Sequence, residues 1–273
     1  MTSVPLIAAV MVAGAAAGGL GALLGIGGGV FLVPFLTIGL DVPIRQALAT
    51  SLLTVIATST AISGGRAREW INPRLGLLVA TCTVAGSLLG GVIATSLSTA
   101  ALYRVFAAST LGIALVMLSR LDVRNVVLDG SLDPGTLGGR YFEEESAQEI
   151  VYRVKRLPLV LGSSFLAGNL STLLGVGGGV VTVPVLNAWC GVPIRAAAAT
   201  SAFTLGVTAA SGAIIYFGRG AVVPTLAAAA VLGVQVGSAA GLRLGNCATA
   251  RTLKLLLAVV LMIVSALMLT RAR

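Results

Sequence analysis

Two glycine clusters carry the residues best suited to chemistry in this chain. Gly25, Gly27, Gly28 and Gly29 form one G-x-G-G-G run, and Gly175, Gly177, Gly178 and Gly179 form a second, 150 residues later. Glycine accepts backbone conformations that turn several amides to one side, so each cluster can present N–H donors to a negative charge. A helix that begins just after such a cluster adds its positive dipole end. Thr50-Ser51 and Thr200-Ser201 follow each cluster at the same distance and supply neutral hydroxyl donors. Arg45 and Arg195 are the charges common to both passages and could draw anions inward. The chemistry indicated is the binding of a small anion. Each element also has a purely structural reading. Glycine runs allow close helix packing, Thr and Ser bond back to their own helix, and arginines near helix ends snorkel to headgroups.

What the chain lacks narrows the choice further. It contains no histidine, and from Pro158 to Arg273 it has neither Asp nor Glu. In the first half only Asp41 and Glu69 are acidic, and both fall near the ends of apolar segments. Ionisable groups within a membrane mark proton relays and cation sites, so a pump or metal carrier built on membrane carboxylates is disfavoured. The same lack removes the constellations of an enzyme. Cys82, Cys190 and Cys247 are isolated, with no C-x-x-C, so no metal site is expected. No cofactor is expected either.

The elements that must position these residues come as a duplication. Residues 23–51 read LLGIGGGVFLVPFLTIGLDVPIRQALATS and residues 173–201 read LLGVGGGVVTVPVLNAWCGVPIRAAAATS, with 18 of 29 positions identical and no gap. Mean hydropathy is +1.02, with 57% apolar and 10% charged residues, the composition of a polytopic membrane protein. Apolar stretches recur at 4–24 (running on to 40), 44–63, 75–97, 100–118, 158–186, 192–217, 221–242 and 252–270. The expected fold is an all-α integral membrane protein of about eight transmembrane helices in two homologous four-span halves. Each half carries a glycine-rich helix break, either a kink or a re-entrant segment. Non-helical backbone is tolerated in a bilayer only where protein buries it or where it lines an aqueous site. A duplicated break therefore points to a transporter with one site built from both halves. Residues 1–119 form the first repeat, 120–157 a polar connector with seven of the nine acids, and 158–273 the second repeat. In the connector, 150–154 reads as a short strand. An even number of segments per half gives parallel repeats and an odd number inverted ones; both stay open at this point. Gly86, Gly90 and Gly91 are echoed by Gly233, Gly237 and Gly241, and Pro73 by Pro224.

The formal charge of +9 is scattered through short loops without a basic run or interleaved aromatics, so nucleic acid is not an expected partner. With eight crossings, the loops on the side of the termini hold twelve Lys and Arg and the other side six. The positive-inside rule then places both termini in the cytoplasm. The apolar N-terminus lacks the positive start of a signal peptide and is read as the first span.

The L-L-G-[IV]-G-G-G-V-x-x-V-P-x-L core followed by V-P-I-R-x-A-x-A-T-S, present twice, resembles the sulfite exporter TauE/SafE family of membrane transporters. The resemblance runs over nearly the whole chain. It implies a multi-pass permease of the cytoplasmic membrane that moves sulfite, sulfoacetate or a related sulfur-containing or organic anion. A proton or sodium ion is the expected coupling partner and the lipid bilayer the medium. The alternative is an anion channel using the same amides and hydroxyls.

Overall fold

The computed structural model describes residues 4–24, 27–62, 65–119, 135–143, 148–244 and 250–271. Among the described residues, ten α-helices, a short 3-10 helix over Gly65–Trp70 and one pair of β-strands make up the fold. In the first half these are α1 (Val4–Leu24), α2 (Gly29–Pro34, extended by a π-helical turn over Phe35–Gly39), α3 (Ile44–Ile62), α4 (Pro73–Ser96) and α5 (Thr99–Ser119). The second half repeats the order with α6 (Leu157–Leu174), α7 (Gly179–Ala188), α8 (Ile194–Gly218), α9 (Pro224–Leu244) and α10 (Ala250–Arg271). Between them, β1 (Gly139–Glu143) and β2 (Gln148–Tyr152) pair antiparallel, with Tyr141 opposite Ile150. The strand expected at 150–154 thus forms two residues earlier.

Among the described residues, eight helices have 18 residues or more, and five of these are apolar enough to cross a membrane by composition. The chain is a membrane protein of α-helices. α2 and α7 are different: at 1.5 Å per residue they reach only about halfway through a hydrocarbon core. Both begin where glycine breaks the preceding helix, with Gly27 at φ +70° and Gly177 at φ +80°. Both contain a proline, Pro34 or Pro184, near their middle. Each then ends in the same turn, closed by Val42 N–H to the Leu36 carbonyl or Val192 N–H to the Leu186 carbonyl. Asp41 and Gly191, aligned but unlike, both adopt left-handed backbone there.

Four contacts fix the direction of the halves. Arg45, at the start of α3, donates to the Thr95 and Leu97 carbonyls at the end of α4. Asn72, just before α4, donates its amide N–H to Thr200 in the second turn of α8. Lys155, just before α6, donates its amide N–H to the Cys190 carbonyl just before α8. Hence α4, α6 and α8 start on one face, and α3 starts on the other. The repeats are inverted. The sequence alone left this open because the short α2 and α7 lie inside continuous apolar runs.

The fifth helix in each half also changes where the chain ends lie. α1 runs beside α9 in the same direction, with Gly14 against Ala230 and Gly18 against Val234. Arg271, at the end of α10, bonds Asp41 beyond α2. Val4 and Arg271 therefore share the face opposite the connector. An eight-crossing count puts termini and connector together; the structure separates them, because α2 and α7 each return the chain to the face it came from.

The halves are interlocked. α4 packs on α6 and α8, α9 packs on α1 and α3, α5 pairs with α10, and α3 meets α8 at the centre. Glycine makes the seams: a Cβ on Gly86 would run into the Phe165 carbonyl, and one on Gly237 into the Ala15 carbonyl. Where no hydrophobic force distinguishes helix from lipid, such close backbone approach drives association. The equivalences are Gly86 with Gly237 and Gly90 with Gly241, an offset of 151 shared by Pro73 and Pro224. The sequence pairing with Gly233 is thereby shifted by one turn.

Candidate functional site

The inverted arrangement brings the two glycine breaks together at the α3–α8 crossing. A Cβ on Gly29 would strike the Gly175 carbonyl and the Ser51 hydroxyl. Gly175, with φ +64°, caps α6 and lies against the backbone of Leu48 in α3. Gly27 faces Val55 and Thr58. Gly28 and Gly178 cap the two short helices: the Gly28 carbonyl accepts the Phe31 and Leu32 amides and the Gly178 carbonyl those of Val181 and Thr182. This leaves the first two amides of each helix, Gly29 and Val30 or Gly179 and Val180, without an acceptor within the helix, as at any helix start. Gly25 lies outside the described residues.

Thr50, Ser51, Thr200 and Ser201 are all fully buried, and they are not equivalent. Ser51 donates to the Gly175 carbonyl, tying α3 of one half to the break of the other. Its counterpart Ser201 has no hydrogen-bond partner. Thr200 accepts the Asn72 amide N–H at 3.0 Å, whereas Thr50 has no partner. None of the four bonds back to its own helix. That fate belongs to residues further along: Thr54 and Thr204 donate to the Ser51 and Ser201 carbonyls, and Thr58 and Thr208 to those of Thr54 and Thr204. The sequence carries a signal for these, because the duplication T-S-x-x-T-x-x-x-T runs on through Thr58 and Thr208.

Arg45 and Arg195 sit apart from this centre, one at each face. Arg45 is held by the carbonyls that end α4. The Arg195 guanidinium lies 5.6 Å from the centre of the Trp70 ring, a cation–π arrangement. Asp41 pairs with Arg271 at 2.7 Å in an exposed bridge that contributes little. Among other polar residues of the apolar segments, Asn187 donates to the Val192 carbonyl and Gln235 to that of Ala57, so both serve the frame.

One face of the centre is roofed by the connector hairpin. Tyr141 and Tyr152 are buried with Leu75, Val79, Val160 and Leu186. The Asn72 side chain donates to the Leu137 and Gly138 carbonyls and to the Tyr152 hydroxyl. Burial raises the Tyr152 hydroxyl above its ordinary pKa, with the hydrogen bond from Asn72 pulling the other way. Asn72 thus links the roof to Thr200. A cavity of about 580 Å³ opens elsewhere, between α1 and α2, lined by Ala13, Ala17, Leu20, Phe31 and Phe35 among others. Its apolar wall suits lipid rather than an anion.

Inverted repeats of long apolar helices, each interrupted by a glycine-started half-helix, define a membrane transporter architecture. The chain matches the family model described as Sulfite exporter TauE/SafE over residues 10–268, and it belongs to that family. It is 24% identical over 262 residues to the "Probable membrane transporter protein YunE" of Bacillus subtilis (strain 168), covering 93% of this chain and 94% of that protein. No solved structure matches it.

Proposed function

We propose that this chain is a secondary transporter with one central anion site, moving sulfite, sulfoacetate or a related sulfur-containing or organic anion across the cytoplasmic membrane. The observation that carries the reading is the meeting of two helix breaks from opposite halves beside two buried hydroxyls, Thr50 and Ser201, with donors to spare. In the proposed site the amides of Gly27–Gly29 and Gly177–Gly179, with Gly175 shaping the second break, bind the substrate's oxygens. Thr50, Ser51, Thr200 and Ser201 supply hydroxyls. The eight long helices are taken as the spans, and α2 and α7 as half-crossing segments. Arg45 and Arg195, one at each face, attract the anion from either side.

Alternating access follows from exchanging the two inverted halves between equivalent postures around this site. The hydroxyls are sealed in the present posture, and the hairpin roof supports reading the connector face as the more firmly closed one. Described Lys and Arg on the connector face number eleven: Arg66, Arg68, Arg74, Arg140, Arg153, Lys155, Arg156, Arg195, Arg243, Arg251 and Lys254. The termini's face has Arg45, Arg104, Arg219 and Arg271. The positive-inside rule then favours a cytoplasmic connector and outward termini, the reverse of the eight-crossing expectation. Coupling would use a proton carried on the substrate, or sodium held by carbonyls and hydroxyls.

The test is purified protein in liposomes, challenged with sulfite, thiosulfate, sulfoacetate, taurine, sulfate and chloride, with and without proton and sodium gradients. Saturable exchange of labelled for unlabelled sulfur anion is expected. Currents far above carrier turnover would select the channel instead, and silence across the panel with folded protein would overturn the substrate class.

A further inference from the structure

Ser171 lies in the last turn of α6, four residues before Gly175. It is 1% exposed, and its hydroxyl has no hydrogen-bond partner, not even a carbonyl of its own helix. Its position in the first half is taken by Gly21. A Cβ built on Gly21 runs into the amide nitrogen of Gly28, the residue that caps α2. The backbones correspond closely: Gly28 has φ −63° and ψ 0°, Gly178 φ −68° and ψ −11°. The Ser171 side chain therefore aims at the start of α7, a ten-residue helix.

The second break is also the roomier one. A Cβ on Gly28 would strike the Ala17 carbonyl, whereas one on Gly178 would stand 3.3 Å from the equivalent Ala167 carbonyl. The first half closes this spot with glycine against glycine; the second sets its two helices slightly further apart and carries the Ser171 hydroxyl there.

We infer that Ser171 belongs to the substrate site and sets its specificity. Its hydroxyl donates to one oxygen of an oxyanion whose other oxygens take the first-turn amides of α7. The inference rests on the anion-carrier reading above and adds an asymmetry to it: substrate sits nearer α7 than α2. An anion with several acceptor oxygens on one centre, a sulfite or a sulfonate, uses separately aimed donors. A site built around such a donor discriminates strongly against ligands that cannot engage it.

The experiment is labelled-sulfite exchange by the full chain in liposomes at graded concentrations, with sulfonate and chloride as competitors. Ser171→Ala should raise the half-saturation concentration at least about tenfold, the loss of one hydrogen bond to a charged group, and leave the maximal rate within about twofold. The preference over chloride should fall in parallel. Ser171→Thr, which keeps the hydroxyl, should retain wild-type behaviour. Ser164→Ala is the control: Ser164 is also buried and unpartnered on α6, but two turns away, and its loss should change nothing. Should Ser171→Ala fail to fold, Ser171→Gly installs the residue of the first half and carries the same expectation. Wild-type saturation in the Ala or Gly variant overturns the inference and leaves the carrier reading intact. If the wild-type protein moves none of the anions, the carrier reading fails. Ser171 is then judged by the thermal shift of purified protein with sulfite, where equal shifts in wild type and variant, zero included, overturn it.

Discussion

The two glycine breaks have nearly one sequence and two environments. At the first, α2 is pressed against α1, Gly28 against Ala17 and Gly29 against Gly175 and Ser51. At the second, a Cβ on Gly178 would stand 3.3 Å from the Ala167 carbonyl, tight but short of the overlap at Gly28. The hydroxyls divide in the same manner. Ser51 and Thr200 are engaged by backbone partners, Ser201 and Thr50 are not. A perfect two-fold would give both halves the same bonds. The difference shows that the duplication supplies a common scaffold whose two halves pack and bond differently at the centre.

The largest test of that contrast is a pair of glycine substitutions. Gly28→Ala forces a methyl into the Ala17 carbonyl and should destabilise the protein by about 1–3 kcal/mol, the usual range for overpacking. Gly178→Ala meets backbone at 3.3 Å, slightly tight but tolerable, and should cost under about 1 kcal/mol. Thermal unfolding of the purified proteins reads both. Equal melting temperatures would mean that the two breaks are packed alike and that the asymmetry is not a property of the protein.

The next pair separates structural from transport roles. Thr200→Val removes the acceptor of the buried Asn72 amide and should cost about 1–3 kcal/mol, the penalty of an unsatisfied donor. Thr50→Val has no bond to break and should leave stability within about 0.5 kcal/mol, yet lower anion exchange if the proposed site is right. Matching losses of stability in both would sink the distinction drawn between them. Unchanged exchange in Thr50→Val would remove Thr50 from the site.

Much of this was legible in the sequence for a physical reason. Helix breaks need glycine, and glycine cannot be hidden in a run of Leu, Val and Ala. The long helices were legible too, as apolar stretches near the observed bounds, and five of them are apolar enough to cross a membrane. The short helices were not, because a segment apolar on all sides has no periodic face to separate it from its neighbour. That cost the parity of the repeats and the face on which the termini lie. The duplication does not mark Ser171, because its counterpart is Gly21. Thr54, Thr58, Thr204 and Thr208 were duplicated, but their place next to the site depends on inverted packing that no single segment encodes. The roof over Thr200 was not legible either, since Asn72 and Tyr152 are 80 residues apart and have no counterparts in the other half.

The smallest expected effect probes that roof. Tyr152 is 2% exposed and accepts a hydrogen bond from Asn72. Burial favours its neutral form, so its folded pKa lies above the unfolded value near 10. A group whose pKa rises on folding contributes stability that is fully present below the unfolded pKa and is lost as pH climbs through the folded one. Hairpin docking should therefore hold from neutral pH to about 10 and weaken above it. Tyr152→Phe cannot ionise, so it should abolish that alkaline loss at the cost of the Asn72 bond, about 1 kcal/mol. Limited proteolysis of the connector across pH 8 to 11 reads both arms. A connector equally protected at every pH in wild type would show that Tyr152 does not hold it. If Tyr152→Phe still loses protection above pH 10, another group holds the roof, and the link from connector to Thr200 does not run through this tyrosine.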